Sequence, residues 1–134
     1  MVMLMYIHAG LMGLGFCIFL CGVIIARYIK KRIWWLKTHR ILGIIGVFCV
    51  ILAFFAVTLQ ITLTDGPHFG VPHSYVGIVV VILSVVTPIF GLLQFKLREA
   101  AASIKKLHIW SGRMTIFLML INILFGLWLI GVIY

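Results

Sequence analysis

Charged side chains are scarce in this sequence, and acidic ones are almost missing. Only 10% of the 134 residues are charged, with two acidic residues against eleven basic ones, while 65% are hydrophobic. A soluble domain has about a quarter of its residues charged, so this composition excludes one. The mean hydropathy of +1.31 indicates an integral membrane protein instead, and the length fits a single domain over residues 1–134.

Basic residues are missing from most of the chain as well. All eleven Lys and Arg residues lie in two segments, 27–40 and 96–113, at the ends of apolar runs. This placement is typical of cytoplasmic loops under the positive-inside rule, and despite the net charge of +9 it does not indicate a nucleic-acid partner. No positive charge precedes the first apolar run, so we expect that run to be a retained membrane span and not a cleaved signal peptide.

Four apolar runs follow one another along the chain. Each is long enough for the ~20 helical residues that cross a bilayer, and they cover about residues 4–28, 33–63, 73–95 and 107–134. Residues 64–72 contain two of the three prolines and no Lys or Arg, which indicates an outer loop. The sequence therefore predicts an all-α, up-and-down four-helix bundle in the membrane, with both termini outside and the basic loops in the cytoplasm.

The connections carry three further expectations. Pro72 is well placed at or just before the first turn of the third helix, and Pro88 should kink that helix. Residues 96–106 are predicted to form a short inner connection between the third and fourth helices.

Histidines open the apolar runs, one to each. His8 opens the first, and the others are followed four residues later by a glycine, in the pairs His39 and Gly43, His73 and Gly77, and His108 and Gly112. Positions i and i+4 share a helix face, so each glycine leaves a bare strip of backbone beside an imidazole. A flat, bulky ligand held by the imidazole could lie against that strip. We interpret the four histidines as axial ligands of haem, and expect glycines without this spacing, such as Gly22 and Gly131, to matter less.

Alternating helix direction places these histidines at two depths. His8 and His73 lie near the outer ends of the first and third helices, and His39 and His108 lie near the inner ends of the second and fourth. If these helices are diagonal partners, each pair faces across the core and can bind one iron from both sides. The prediction is two b-type haems, one above the other in the membrane.

Other assignments of the metal-binding residues are weaker. Zinc prefers a compact tetrahedral set of ligands, whereas these histidines lie at two depths with no carboxylate or cysteine beside them. None of the three cysteines belongs to a Cys-x-x-Cys-His signal, so haem would be held without a covalent bond, and the cysteines are expected to be small buried hydrophobes. His68 lies in the polar outer loop and is expected to be solvated.

Four segments resemble the core of the cytochrome b561 family, a four-helix haem-binding unit of transmembrane ascorbate and ferric reductases. They are residues 22–28 (GVIIARY), 35–40 (WLKTHR), 72–77 (PHSYVG) and 107–113 (LHIWSGR), the last followed by Asn122 and Gly126. The resemblance covers nearly the whole chain, and it implies the same pairing of ligands, first with third and second with fourth. From these residues we expect four spans where the ascorbate reductases usually have six, and we expect neither their cytosolic ascorbate motif nor an attached outer domain.

Together these features predict transmembrane electron transfer through two bis-histidine haems. Partners would be membrane lipid and a small-molecule or protein donor and acceptor, and an oligomer is compatible with the sequence. Candidates for contacting haem propionates or an anionic donor at the inner face are Arg27, Lys37, Arg40 and Arg113, although these cations could equally set topology and bind lipid phosphates. The alternatives are a cytochrome b anchor subunit that exchanges electrons with quinone and a docked protein, and a haem-free helical scaffold.

Overall fold

Four long helices make up most of the chain. The computed structural model describes residues 3–132, and its helices are α1 (Met3–Tyr28), α2 (Trp35–Leu63), α3 (Pro72–Lys96) and α4 (Ala101–Leu129). Each helix is long and apolar enough to cross a membrane, because 25 to 29 residues rise about 38 to 44 Å. The predicted all-α, four-helix membrane bundle is confirmed.

The fourth helix has different limits from those predicted. It begins at Ala101, directly after a single 3-10 turn (Arg98–Ala100), so much of the predicted inner connection is helical. Its last turn is closed by Gly131, whose φ of 71° lies in the left-handed region, and by the Val132 N–H, which donates to the carbonyl of Leu127 at 3.0 Å. This is the usual glycine stop of a helix, and it ends α4 at Leu129. Residues 133 and 134, part of the predicted run, lie outside the described residues.

The two prolines of α3 have separate effects. Pro72 occupies the first helical turn, after Val71 in an extended conformation, and this confirms its predicted place. Pro88 lies inside the helix, which continues to Lys96. Because proline has no N–H, the carbonyl of Ser84 loses its donor in the helix.

The helices pack as two antiparallel hairpins. α1 runs along α2 and α3 along α4, whereas α2 with α3 and α1 with α4 touch much less extensively. Small residues bring α1 and α2 close: a Cβ on Gly46 would lie 2.6 Å from the Phe19 ring, and one on Gly15 would lie 3.3 Å from Val50. Close approach at small residues is the usual way that membrane helices pack.

A buried apolar layer joins the hairpins at mid-height. Its members come from all four helices and are Met12, Val50, Ala53, Val80 and Met119. The bundle therefore has two ends separated by a core. We call the end that carries residues 64–71 the loop end, and the end that carries residues 29–34 and 97–100 the basic end.

Candidate functional site

Each of the four intramembrane histidines is tied to the neighbouring helix of its own hairpin. A backbone carbonyl lies 2.9 Å from the Nδ1 atom in every case, and the pairs are His8 with Ala53, His39 with Gly22, His73 with Asn122, and His108 with Thr87. A carbonyl oxygen can only accept, so Nδ1 carries the proton and donates it. In the neutral imidazole the lone pair is then on Nε2, the nitrogen that can bind a metal.

The accepting carbonyls recur at a constant distance from the histidines along the chain. In α1 the acceptor at position 22 follows the histidine at position 8 by fourteen residues, and the same step separates 39 from 53, 73 from 87, and 108 from 122. Each helix therefore supplies one imidazole and, about 21 Å further along its axis, one acceptor. In an antiparallel hairpin this spacing makes the two bonds reciprocal, one at each end.

The histidines meet across the bundle in two pairs. The ring centroids of His8 and His73 are 6.1 Å apart at the loop end, with an angle of 85° between the ring planes. Those of His39 and His108 are 5.9 Å apart at the basic end, with an angle of 84°. Within residues 3–132, no group of three or more His, Cys, Asp and Glu side chains converges on a metal position.

The spacing within each pair fits a single metal ion between two imidazoles. A histidine nitrogen binds a first-row metal ion at about 2.0 Å, and the ring centre lies about 1 Å behind that nitrogen, so two ligands on opposite sides have centroids about 6 Å apart. The pairs thus match the spacing of two axial ligands. Each Nδ1–H already donates to a backbone carbonyl, as the other ring nitrogen of a metal-binding histidine usually does.

Three glycines that lacked the predicted spacing lie directly against the imidazoles. A Cβ on Gly126 would lie 3.0 Å from His73, one on Gly91 would lie 3.0 Å from His108, and one on Gly22 would lie 3.6 Å from His39. Gly91 and Gly126 each follow an accepting residue by one turn, where a side chain would stand beside the accepting carbonyl. Gly22 thus contacts His39 although it lacks the predicted spacing, and the expectation that it matters less for haem binding stays a prediction.

A sequence signal for two of these glycines exists. Gly91 follows His73, and Gly126 follows His108, by the same eighteen residues, which is the fourteen-residue step plus one helical turn. The His-x-x-x-Gly pattern does not identify Gly91 or Gly126, because that short-range spacing describes one helix and these imidazole contacts belong to the next.

The glycines of the His-x-x-x-Gly pattern have two different environments. The Nδ2 atom of Asn122 would lie 3.3 Å from a Cβ on Gly77, and the γ-methyl of Thr87 would lie 3.4 Å from one on Gly112. At these two positions the bare strip accommodates the side chain of the residue that accepts the histidine bond. Gly43 differs, since no described residue comes within 4 Å of its Cβ position, and its opposite residue, Gly22, has no side chain.

Of the three glycines in the His-x-x-x-Gly pattern, Gly43 is therefore the one with room for a flat ligand. We expect Gly43→Leu to lower haem occupancy at the basic end, because the added side chain would fill the strip beside His39, and to leave insertion intact, because leucine favours a membrane span. Haem content per chain and the absorbance spectrum measure this.

The matched control for Gly43→Leu is Gly10→Leu. Its Cβ position is equally open among the described residues, but Gly10 is exposed on α1. Gly131 is unsuitable, since its φ of 71° would strain any leucine whatever the space. Full haem content in Gly43→Leu would show that no haem lies against this strip.

Cations gather at the basic end but are not tied to the histidines. The Arg40 guanidinium lies 4.6 Å from the centre of the Phe95 ring and so links α2 to α3, and Arg113 lies 5.2 Å from the Trp110 ring of its own helix. Both arginines and Lys37 are exposed. They can move toward an anionic group without losing a buried partner.

The remaining candidate residues lie apart from the pairs. His68 is exposed in the loop, where its Nε2 is 3.5 Å from the Thr62 hydroxyl. Cys49 is buried as expected, whereas Cys17 and Cys21 are exposed on α1, on surface that faces lipid in a membrane. The expectation of burial is wrong for these two, because an apolar run alone does not show which side of a helix faces the core.

The fold and the site define a class: a multi-pass membrane bundle that turns two pairs of imidazoles toward its interior. Residues 7–130 match the profile of the family described as eukaryotic cytochrome b561, and the chain belongs to that family. It is accordingly a haem b protein of transmembrane electron transfer, surrounded by lipid and served by electron donors and acceptors. Comparison with curated proteins and with solved structures gave no match.

Proposed function

We propose that the chain passes electrons across the membrane between two b-type haems, each held by two histidines. His8 and His73 would bind the haem at the loop end, and His39 and His108 the haem at the basic end. The observation that carries the proposal is the facing of these rings in two pairs, with every Nδ1 already donating to a carbonyl.

The protein's own contribution is to hold the imidazoles ready for the metal. The Nδ1–H bond selects one tautomer and fixes the ring plane. Because each histidine of a pair belongs to a different hairpin, metal binding would also link hairpins that otherwise touch little.

The apolar layer between the two pairs supports transfer through the bundle and not through water. Val50, Ala53, Val80 and Met119 are completely buried there, so the interior has a low dielectric and excludes solvent from the path. Bound haem supplies the one-electron chemistry of its iron. Orientation, separation and exclusion of water come from the helices.

The basic end would face the cytoplasm, and the loop end with both termini would face the other side. The distribution of Lys and Arg supports this orientation. At the basic end, Arg40, Lys37 and Arg113 are exposed cations that could pair with haem propionates or with an anionic donor. Glycosylation or thiol-labelling reporters placed at residue 66 and at residue 31 would test the sidedness, and labelling of both from one side would contradict it.

The haem count is the decisive test of the proposal. We expect two haems per chain by the pyridine haemochrome assay, because two pairs of imidazoles with free Nε2 atoms are available. The bands should be those of b-type haem, since no covalent attachment signal exists. A count near one would contradict the proposal, and a colourless protein would favour a scaffold. Reduction assays with ascorbate, quinol and ferric chelates would then separate a reductase from a quinone-linked anchor.

A further inference from the structure

Among the described residues, the polar side chains that are almost completely buried belong to one hairpin. Ser84, Thr115 and Asn122 are between 1% and 4% exposed, and all three lie on α3 or α4. The accepting residues show the same division, because Gly22 and Ala53 of the first hairpin have at most a methyl group, whereas Thr87 and Asn122 of the second have polar side chains.

The two polar acceptors differ in how their side chains are satisfied. The Thr87 hydroxyl lies 3.3 Å from that of Thr115, which itself donates to the Ser111 carbonyl at 2.8 Å. The Oδ1 atom of Asn122, by contrast, is buried without a hydrogen-bond partner in the part of the chain that the structure describes. The basic end thus has a paired hydroxyl where the loop end has an unpaired carboxamide oxygen.

Two contacts place Asn122 beside the loop-end pair of histidines. Its backbone carbonyl accepts the Nδ1–H of His73 at 2.9 Å. Its Nδ2 lies over Gly77, one turn from His73 on α3. An unpaired dipole in a low-dielectric interior acts strongly on a nearby charge, because neither water nor a partner screens it.

We propose that Asn122 is a positioning residue that sets the reduction potential of the loop-end haem apart from that of the basic-end haem. The inference rests on the proposed function, since it needs a haem on His73. The carboxamide acts through its dipole, which stabilises the oxidised and the reduced states of the loop-end haem to different extents. An unpaired buried oxygen weakens the fold, so packing alone does not account for it.

Asn122→Leu tests this proposal, because leucine has a similar shape without the dipole and leaves the backbone carbonyl in place. In a potentiometric titration of the full-length protein, the component that disappears in His73→Ala should shift its midpoint potential. The component that disappears in His108→Ala should stay where it is. Thermal stability should be unchanged or higher, because the unpaired oxygen is gone.

Thr87→Val is the matched control at the other acceptor. It removes a hydroxyl that is paired, and we expect the loop-end component to keep its wild-type potential. An equal shift of both components in Asn122→Leu, or a shift of neither, would overturn the proposal.

If Asn122→Leu does not incorporate haem, Gly77→Ala provides a second test of the proposal. Its Cβ would lie 3.3 Å from Nδ2 and would displace the carboxamide slightly, so a smaller shift of the same component is expected, and no shift overturns the proposal. Failure of the proposed function is recognisable separately. It would appear as fewer than two components in the wild-type protein, whereas two components that ignore Asn122 would refute only this inference.

Discussion

Replacing His8 or His73 with alanine should remove the same haem, and replacing His39 or His108 should remove the other. The two members of each pair lie about 6 Å apart between ring centroids, so loss of either leaves the iron with a single imidazole and a hole on its other side. Each variant should fall from two haems per chain to about one. Absorbance spectra and haem counts of the four variants measure this.

Which of the two haems each variant loses is more informative than the amount of haem lost. Variants of one pair should give the same residual spectrum, and variants of different pairs should give complementary ones. His68→Ala is the control, since that residue is exposed in the loop, and it should keep both haems. If His8→Ala and His39→Ala removed the same spectral component, the assignment of ligands would be incorrect.

Gly126→Leu and Gly91→Leu should each abolish one haem although neither replaces a histidine. A Cβ at either position already lies 3.0 Å from an imidazole, and a full leucine would occupy the volume of the ring. Overpacking of this kind costs ~1 to 3 kcal/mol or more, and the ring has to leave its carbonyl to relieve it. We expect Gly126→Leu to resemble His73→Ala, and Gly91→Leu to resemble His108→Ala, in haem count and spectrum.

Gly22→Ala tests whether distance from the ring decides the outcome. Its Cβ would lie 3.6 Å from Nδ1 of His39, an ordinary contact, so both haems should remain. Gly10→Leu controls for the general effect of leucine on insertion. Two intact haems in both Gly126→Leu and Gly91→Leu would mean that the rings can move without losing the metal.

Local sequence was sufficient for much of the architecture. The four helices, their approximate limits and their alternation follow from apolar length and from the position of the loop residues, since a bilayer demands ~20 apolar residues whatever the neighbours are. The depths of the histidines follow from that alternation. The start of α4 does not follow from hydropathy, because residues 101–106 include Lys105 and Lys106 yet are helical. Hydropathy marks where a span is apolar rather than where a helix begins.

The pairing partners could be anticipated, but their surroundings could not. His8 and Ala53 are 45 residues apart, and His73 and Asn122 are 49 apart. Which carbonyl a histidine reaches depends on the rotation and vertical offset of two helices, and helix periodicity does not determine either quantity for a chain that is apolar all round.

The sequence by itself determined that this is a membrane bundle with one histidine near an end of each helix, because length, hydropathy and charge act residue by residue. Only the tertiary structure decided which glycines lie against the imidazoles, because Gly91 and Gly126 contact rings that belong to other helices. It likewise placed Asn122 over Gly77 and left Gly43 open. These contacts arise when the two helices of a hairpin lie antiparallel and share a fourteen-residue step. Such a relation exists between helices and not within any one of them.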